Sequence, residues 1–250
     1  MIPASVGFQC PECVRAGQSG SRAPRGGALQ SAGRRWGTVT LTLIAINVAM
    51  FVATAISAAT VGSNPLTHNY DSPLFADLVQ YPPLVDAGQW WRLITAAFLH
   101  LGPVHLALNM LALLVFGSEL ERALGRWRYL AVYVVSILGG AAAIQLFSLS
   151  PVAGASTAIW GLMGAFAVLM VAQRQDLRGI VTLVALNVVI SVVIPGISLI
   201  GHIGGLIAGA LATGVLVLAR RNRTLQIAGT AVLGVALVVV ALTISTVAVL

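Results

Sequence analysis

The sequence predicts an all-α polytopic membrane protein, and two observations carry that prediction. Apolar residues make up 58% of the 250-residue chain and charged residues only 8%, whereas about a quarter of a soluble domain is charged. Apolar runs of about 17 to 25 residues, the length that crosses a bilayer as a helix, recur seven times. They cover approximately 38–60, 99–118, 128–149, 155–172, 179–195, 200–219 and 225–249.

The elements follow in order from these runs. A polar tail of about 35 residues precedes the first span, and it is too long and polar for a signal peptide. Arginine-rich loops separate the second span from the third, the fourth from the fifth and the sixth from the seventh. The fifth span is the weakest, because Asn187 interrupts it and Pro195-Gly196 ends it. No internal repeat is visible.

All fourteen basic residues are arginine, and their positions predict the orientation of the chain. Thirteen lie in the tail or in the three loops on the same side of the membrane, and only Arg92 lies on the other side. Because positive charge is retained in the cytoplasm, the N-terminus is predicted inside and the C-terminus outside. Topology therefore explains the net charge of +7, and no basic face is left to predict nucleic-acid binding.

Two cysteines, Cys10 and Cys13, form a CPEC motif in the tail. A reducing cytoplasm argues against a structural disulfide, and one CxxC supplies half of a tetrahedral zinc site. Three interpretations stay open: an incomplete chain start, a site shared between two copies, or no metal at all. We favour the first.

Polar side chains near the N-terminal ends of three predicted spans indicate a functional site. The second span begins with His100, His105 and Asn109. The fourth begins with Ser156, and the first turn of the sixth contains His202. Each one alone is more often a polar residue bonded to a neighbouring helix. The three spans run in the same direction, however, so these side chains converge at a similar depth near the outer surface. Convergence of this kind is typical of a site rather than of packing.

The residue types predict acyl-transfer chemistry. His202 is the candidate base that activates the Ser156 hydroxyl as a nucleophile. The Asn109 amide, a ring N–H of His105 and the backbone N–H of Ser156 are the candidate donors to an oxyanion. No Asp or Glu lies at this depth, so Trp160, one turn after Ser156, is expected to orient the histidine by packing. A cavity open to the outside must admit water.

These residues resemble the rhomboid family of intramembrane serine proteases, over roughly residues 38 to 219. The matching motifs are Trp91-Arg92, HxxxN at His105 and Asn109, GxxxExxxG at Gly117, Glu121 and Gly125, GxS at Gly154 and Ser156, and HxxGxxxG at His202, Gly205 and Gly209. Two positions depart from the family pattern, which has glycine in place of Thr157 and alanine in place of Gly201. Thr157 is β-branched, and a side chain facing the cavity would restrict the substrate residue at the scissile bond.

The resemblance implies a six-helix core with a seventh, C-terminal helix added to it. The expected organisation is a cytoplasmic tail with the CxxC at 1–37, a protease core at 38–219, and a loop with the extra helix at 220–250.

The resemblance also implies cleavage, without a cofactor, of single-span proteins of the cell membrane within or next to their transmembrane helix. The CxxC resembles the end of a zinc knuckle that precedes some bacterial rhomboid domains. Trp90, Trp91 and Tyr81 predict that part of the first external loop lies in the outer leaflet, and an ordinary solvated loop is the alternative.

Two other classes of function compete with this interpretation. A catalytically inactive relative would bind membrane helices without cutting them, but such proteins typically lack the serine or the histidine that this chain keeps. A small transporter would have its site at the midplane, in broken helices in matching halves of the chain. Here the polar residues lie near the ends of the predicted helices, and no such pair of broken helices is visible in the sequence.

Overall fold

A computed structural model of the chain describes residues 2–3, 8–12 and 28–244. The chain divides into two compact units, Met1–Arg35 and Trp36–Leu250. In the first, two short strands, β1 (Ile2–Pro3) and β2 (Phe8–Gln9), pair antiparallel, an element that the sequence analysis did not predict. Helix α1 (Ala28–Trp36) comes later in the chain.

The CxxC motif of the tail is only partly described. Cys10 is exposed, and Cys13 lies outside the described residues, so the half zinc site stays a prediction. Within the described ranges, no three His, Cys, Asp or Glu side chains gather closely enough to hold a metal ion.

The second unit is helical and confirms the predicted all-α membrane fold. Two 3-10 turns, Asn69–Asp71 and Ala96–Phe98, and a π-helical turn, Leu113–Gly117, accompany the α-helices. The helices are α2 (Thr38–Thr60), α3 (Pro73–Leu78), α4 (Pro82–Asp86), α5 (Arg92–Thr95), α6 (Gly102–Ala112), α7 (Ser118–Leu124), α8 (Arg126–Phe147), α9 (Ser156–Ala172), α10 (Arg178–Val193), α11 (Leu199–Leu218) and α12 (Arg223–Thr243).

Five helices among the described residues are long and apolar enough to cross a membrane. They are α2, the continuous rod Gly102–Leu124 formed by α6, the π turn and α7, and then α8, α11 and α12. Helices α9 and α10, with 17 and 16 residues, are apolar but shorter. The fifth predicted span is thus the shortest of the seven, in keeping with its interruption by Asn187. The protein is a multi-pass membrane protein.

The second span is displaced along the chain from its predicted position. It begins at Gly102 rather than residue 99, because Gly102 has a φ of 80° and Pro103 follows in the first turn. It continues beyond residue 118 to Leu124, where Gly125, also with a φ of 80°, breaks the helix. Apolar content alone did not predict this extension, because the last turn carries charged side chains.

Small residues bring α8, α9 and α11 into close contact at the centre of the unit. A Cβ added to Gly209 of α11 would overlap the backbone of Gly161 in α9, and one added to Gly205 would overlap the Thr157 carbonyl. On the other side of α11, a Cβ on Gly139 of α8 would overlap Ala208. Glycine at these positions therefore lets the backbones approach, as is typical of packed membrane helices. This contact sets the distance between the N-terminal ends of α9 and α11.

Glu121 ties the C-terminal end of the second span to the start of the first. Its carboxylate accepts hydrogen bonds from the backbone N–H groups of Val39 and Thr40, at 3.0 and 2.8 Å, and from the Thr40 hydroxyl at 2.9 Å. A carboxylate at a helix N-terminus satisfies free N–H groups and complements the helix dipole. Glu121 lies at the opposite end of the rod from His105, so its contacts are structural.

Candidate active site

A turn at Gly154 places Ser156 at the start of α9. Val152 donates its backbone N–H to the Gln80 carbonyl at 2.8 Å, and Gly154 donates to the Ala96 carbonyl at 3.0 Å, which fixes the turn on the connection between α2 and α6. Gly154 has a φ of 134°, a conformation that favours glycine. A Cβ there would lie 2.9 Å from Cε1 of the His105 ring. Glycine is required both by the turn and by the histidine above it.

Ser156 and His202 are joined by a hydrogen bond. Nε2 of His202 lies 2.8 Å from Oγ of Ser156. His202 occupies the first turn of α11, whose N-terminus is capped by the Ser198 hydroxyl. Its ring stacks on Trp160, with the ring centroids 4.7 Å apart and the planes 17° from parallel. The packing that the sequence predicted from Trp160 is present in the structure, one turn along α9 from the serine.

His105 has a ring N–H beside the Ser156 hydroxyl. The backbone N–H of Leu101 lies 3.1 Å from Nδ1 of His105, and a backbone N–H can only donate, so Nδ1 is the acceptor. In the neutral ring the proton is then on Nε2. That nitrogen is 3.0 Å from the Cβ position that Gly154 leaves empty, and Oγ of Ser156 is 3.6 Å from the same point. A donor and the serine oxygen therefore flank one small space.

Asn109 lies one turn below His105 on α6. Its side-chain amide donates to the His105 backbone carbonyl at 2.8 Å, which holds the side chain and leaves the second N–H of the amide available. His100, fully buried, packs its ring against His105 with the centroids 5.1 Å apart. His100 therefore supports the position of His105 rather than facing the serine.

A cavity of about 610 Å³ adjoins these groups. It lies between α6, α9 and α10 and reaches the connection from α10 to α11. Its walls include Ser156, His202, His105 and Asn109, and most of its remaining lining is apolar. The exposed side chains of Leu108 and Ile190 also line it, so the cavity borders the apolar outer surface of the helices.

Thr157, the departure beside the serine, has its side chain largely between helices. A Cβ on Gly140 of α8 would lie 2.6 Å from Cβ and 2.9 Å from Cγ2 of Thr157, so the threonine occupies space that this glycine leaves. Thr157 also lines both the 610 Å³ cavity beside Ser156 and a second, very small cavity beneath the turn at Gly154. The compensating Gly140 lies in another helix, seventeen positions before Thr157, and was not noticed in the sequence.

Trp91 and Arg92 hold the connection between α2 and α6 together, and neither lines the cavity beside Ser156. The Arg92 guanidinium donates to the carbonyls of Ala76 and Val79, each at 2.7 Å, and the Trp91 indole donates to the Asp77 carbonyl at 3.1 Å. Burial lowers the pKa of Arg92 from its ordinary value, and the Asp77 carboxylate partly offsets this effect. The pair therefore shapes the loop on which the turn before α9 rests.

One polar contact at this site was missed in the sequence. Oγ of Ser191, in α10, lies 3.0 Å from Nδ1 of His202. The signal that could have found it is the spacing of Asn187 and Ser191, two polar residues four apart on one face of the weak fifth span.

Comparison with known proteins identifies the family of the chain. Residues 87–220, more than half of the chain, match the family model of the Rhomboid domain. The chain belongs to the rhomboid family. It is 33% identical to Rhomboid protease GluP of Bacillus subtilis, over 72% of this chain and 35% of that protein. It is 29% identical to Rhomboid protease AarA of Providencia stuartii, over 69% of this chain and 70% of that protein.

A plant rhomboid is also similar. RHOMBOID-like protein 4 of Arabidopsis thaliana is 35% identical over 54% of this chain and 36% of its own length. The matched region thus spans only about a third of GluP and of this plant relative.

Proposed function

We propose that this rhomboid is an intramembrane serine endopeptidase. The observation that carries the proposal is the 2.8 Å contact between Ser156 Oγ and His202 Nε2, beside a cavity that borders the apolar surface. An adjacent base is what turns a serine hydroxyl into a nucleophile. The names of GluP and AarA, both rhomboid proteases, support the same class of reaction.

In the proposed mechanism, Ser156 Oγ attacks the scissile carbonyl carbon while His202 Nε2 takes the hydroxyl proton. The oxyanion that forms is bound by the His105 ring N–H, the free Asn109 amide N–H and the Ser156 backbone N–H. The C–N bond then breaks as the imidazolium returns its proton to the leaving nitrogen. Water, deprotonated by His202, hydrolyses the acyl-enzyme and regenerates the serine. No cofactor takes part.

The proposed substrates are single-span membrane proteins, cut within or next to their transmembrane helix. A cavity wall shared with exposed Leu108 and Ile190 supports entry from the apolar surface. A helix hides its carbonyl groups in its own hydrogen bonds, so a substrate segment must unwind before Ser156 can reach it. The protease core is proposed to be 38–219, with 1–37 and 220–250 outside it. The N-terminus is proposed to be cytoplasmic and the C-terminus outside the cell membrane.

The test is reaction of the full chain, in detergent or bilayers, with a fluorophosphonate and with tagged single-span proteins. The wild type should be labelled and should release shortened fragments, whereas Ser156→Ala should lose both reactions by at least about a thousandfold. Ser118→Ala is the matched control, because within residues 28–244 this buried serine hydrogen-bonds only to its own helix, through the Val115 carbonyl. A chelator should not slow cleavage. Cleavage by Ser156→Ala near the wild-type rate would contradict the proposal, and helix binding without cleavage by the wild type would indicate an inactive relative.

A further inference from the structure

Ser191 makes two hydrogen bonds, and their directions follow from the atoms involved. Oγ lies 2.8 Å from the backbone carbonyl of Asn187, one turn earlier in α10, and 3.0 Å from Nδ1 of His202. The residue is only 6% exposed, and it lines the same cavity as Ser156 and His202.

A carbonyl oxygen can only accept, so the single hydroxyl proton of Ser191 goes to Asn187. The Ser191 oxygen then has only lone pairs to offer to His202. Nδ1 of His202 must therefore carry a proton, and in the neutral ring Nε2 has none. An unprotonated Nε2 is the state that can accept the Ser156 proton across 2.8 Å.

We propose that Ser191 is a positioning residue that holds His202 in the Nδ1-protonated tautomer and fixes the ring in its plane. The proposal rests on the proposed function, since the tautomer matters for catalysis only if His202 is the base. Trp160, in α9, packs against the face of the His202 ring, and Ser191, in α10, contacts its edge at Nδ1. These two contacts from two helices fix the orientation of the ring. Ser191 thus takes the place that a carboxylate holds in a three-residue serine site. It also stabilises the imidazolium that forms when His202 takes the proton, because a hydrogen bond to a charged group is stronger than a neutral one.

The kinetic test uses a pair of variants that differ only in the hydroxyl. Ser191→Thr keeps a hydroxyl that can reach the Asn187 carbonyl and Nδ1, and Ser191→Val has the same shape without it. We expect the maximal rate of fluorophosphonate inactivation to fall about tenfold to a hundredfold in Ser191→Val and Ser191→Ala. Ser191→Thr should stay close to wild type, and the concentration for half-maximal inactivation should change little in all three. Equal rates for the threonine and valine variants would overturn the proposal.

A second measurement does not depend on activity. In the full chain labelled with ¹⁵N-histidine, the nitrogen shifts of His202, assigned by comparison with His202→Ala, should show a protonated Nδ1 and an unprotonated Nε2. Ser191→Val should give a mixture of the two tautomers, and Ser118→Ala should leave the signals unchanged. A wild-type ring protonated on Nε2 would overturn the proposal, even if cleavage is observed. A chain that fails to hydrolyse but shows the expected signals would contradict the proposed function alone.

Discussion

Two histidines at this site are held with their protons on opposite nitrogens. His202 carries its proton on Nδ1, where it donates to Ser191, so Nε2 faces Ser156 as an acceptor. His105 accepts at Nδ1 from the Leu101 backbone, so its proton lies on Nε2. One side-chain type thus supplies both a base and a donor, and the neighbouring hydrogen bonds decide which role each ring is suited to.

At this scale we expect the oxyanion donors to be partly redundant. Asn109→Ala should slow cleavage about a hundredfold, a loss of about 3 kcal/mol of transition-state stabilisation, because the His105 ring and the Ser156 backbone remain. His202→Ala should be slower still, since it removes the only base that contacts the serine in the described part of the chain. Turnover of one tagged substrate by both variants checks the order. A fully active, correctly folded Asn109→Ala protein would mean that Asn109 only packs.

At the scale of the elements, the contact between α9 and α11 determines whether Ser156 and His202 meet. Thr157 and Gly161 of α9 face Gly205 and Gly209 of α11 with backbone against backbone. A larger residue at this contact must push the helices apart, and the 2.8 Å hydrogen bond at their N-terminal ends depends on that separation.

Gly209→Ala tests this dependence, because its Cβ would overlap the Gly161 backbone. We expect a loss of about 1–3 kcal/mol in stability and a strong fall in fluorophosphonate labelling. Gly214→Ala in the same helix is the matched control, since a Cβ there meets no atom within 4 Å. Alanine is the better helix former by about 1 kcal/mol, so this control should be neutral or slightly more stable. Thermal unfolding in detergent and the labelling rate measure both effects, and equal behaviour of the two variants would contradict the packing argument.

At the scale of the whole molecule, the distribution of arginine predicts how the chain lies in the membrane. Thirteen of the fourteen arginines fall on one side of the predicted topology. The candidate site, at the outer ends of α6, α9 and α11, would then face the outside of the cell.

Cysteine labelling on intact cells checks this orientation, with Cys10 and Cys13 first replaced by serine. A membrane-impermeant maleimide should label Val61→Cys, in an exposed position after α2, without lysis. It should label Gln175→Cys, exposed between α9 and α10, only after the cells are opened. The reverse pattern would place the N-terminus and the arginine-rich loops outside.

The sequence was sufficient where one physical requirement dominates. Apolar runs must cross the bilayer as helices, since unpaired backbone groups are too costly there, and this determined the fold class and the approximate spans. The polar residues that interrupt those runs are few, so His105, Asn109, Ser156 and His202 stood out, and the alternation of spans placed them at one depth. These deductions need only periodicity, length and side-chain type.

The tertiary structure decided everything that depends on atoms from two helices at once. Ser191 lies in the weakest span, and only the distance to Nδ1 reveals its contact with His202. Thr157 departs from the family pattern beside the serine, and Gly140, in another helix, leaves the space that part of its side chain occupies. The proton position of His202 follows from its contact with Ser191 in another helix. That of His105 follows from the backbone N–H of Leu101, just before α6. Hydrophobicity determines which segments enter the membrane, but hydrogen bonds and close packing act over about 3–4 Å, and a sequence does not specify which atoms come that close.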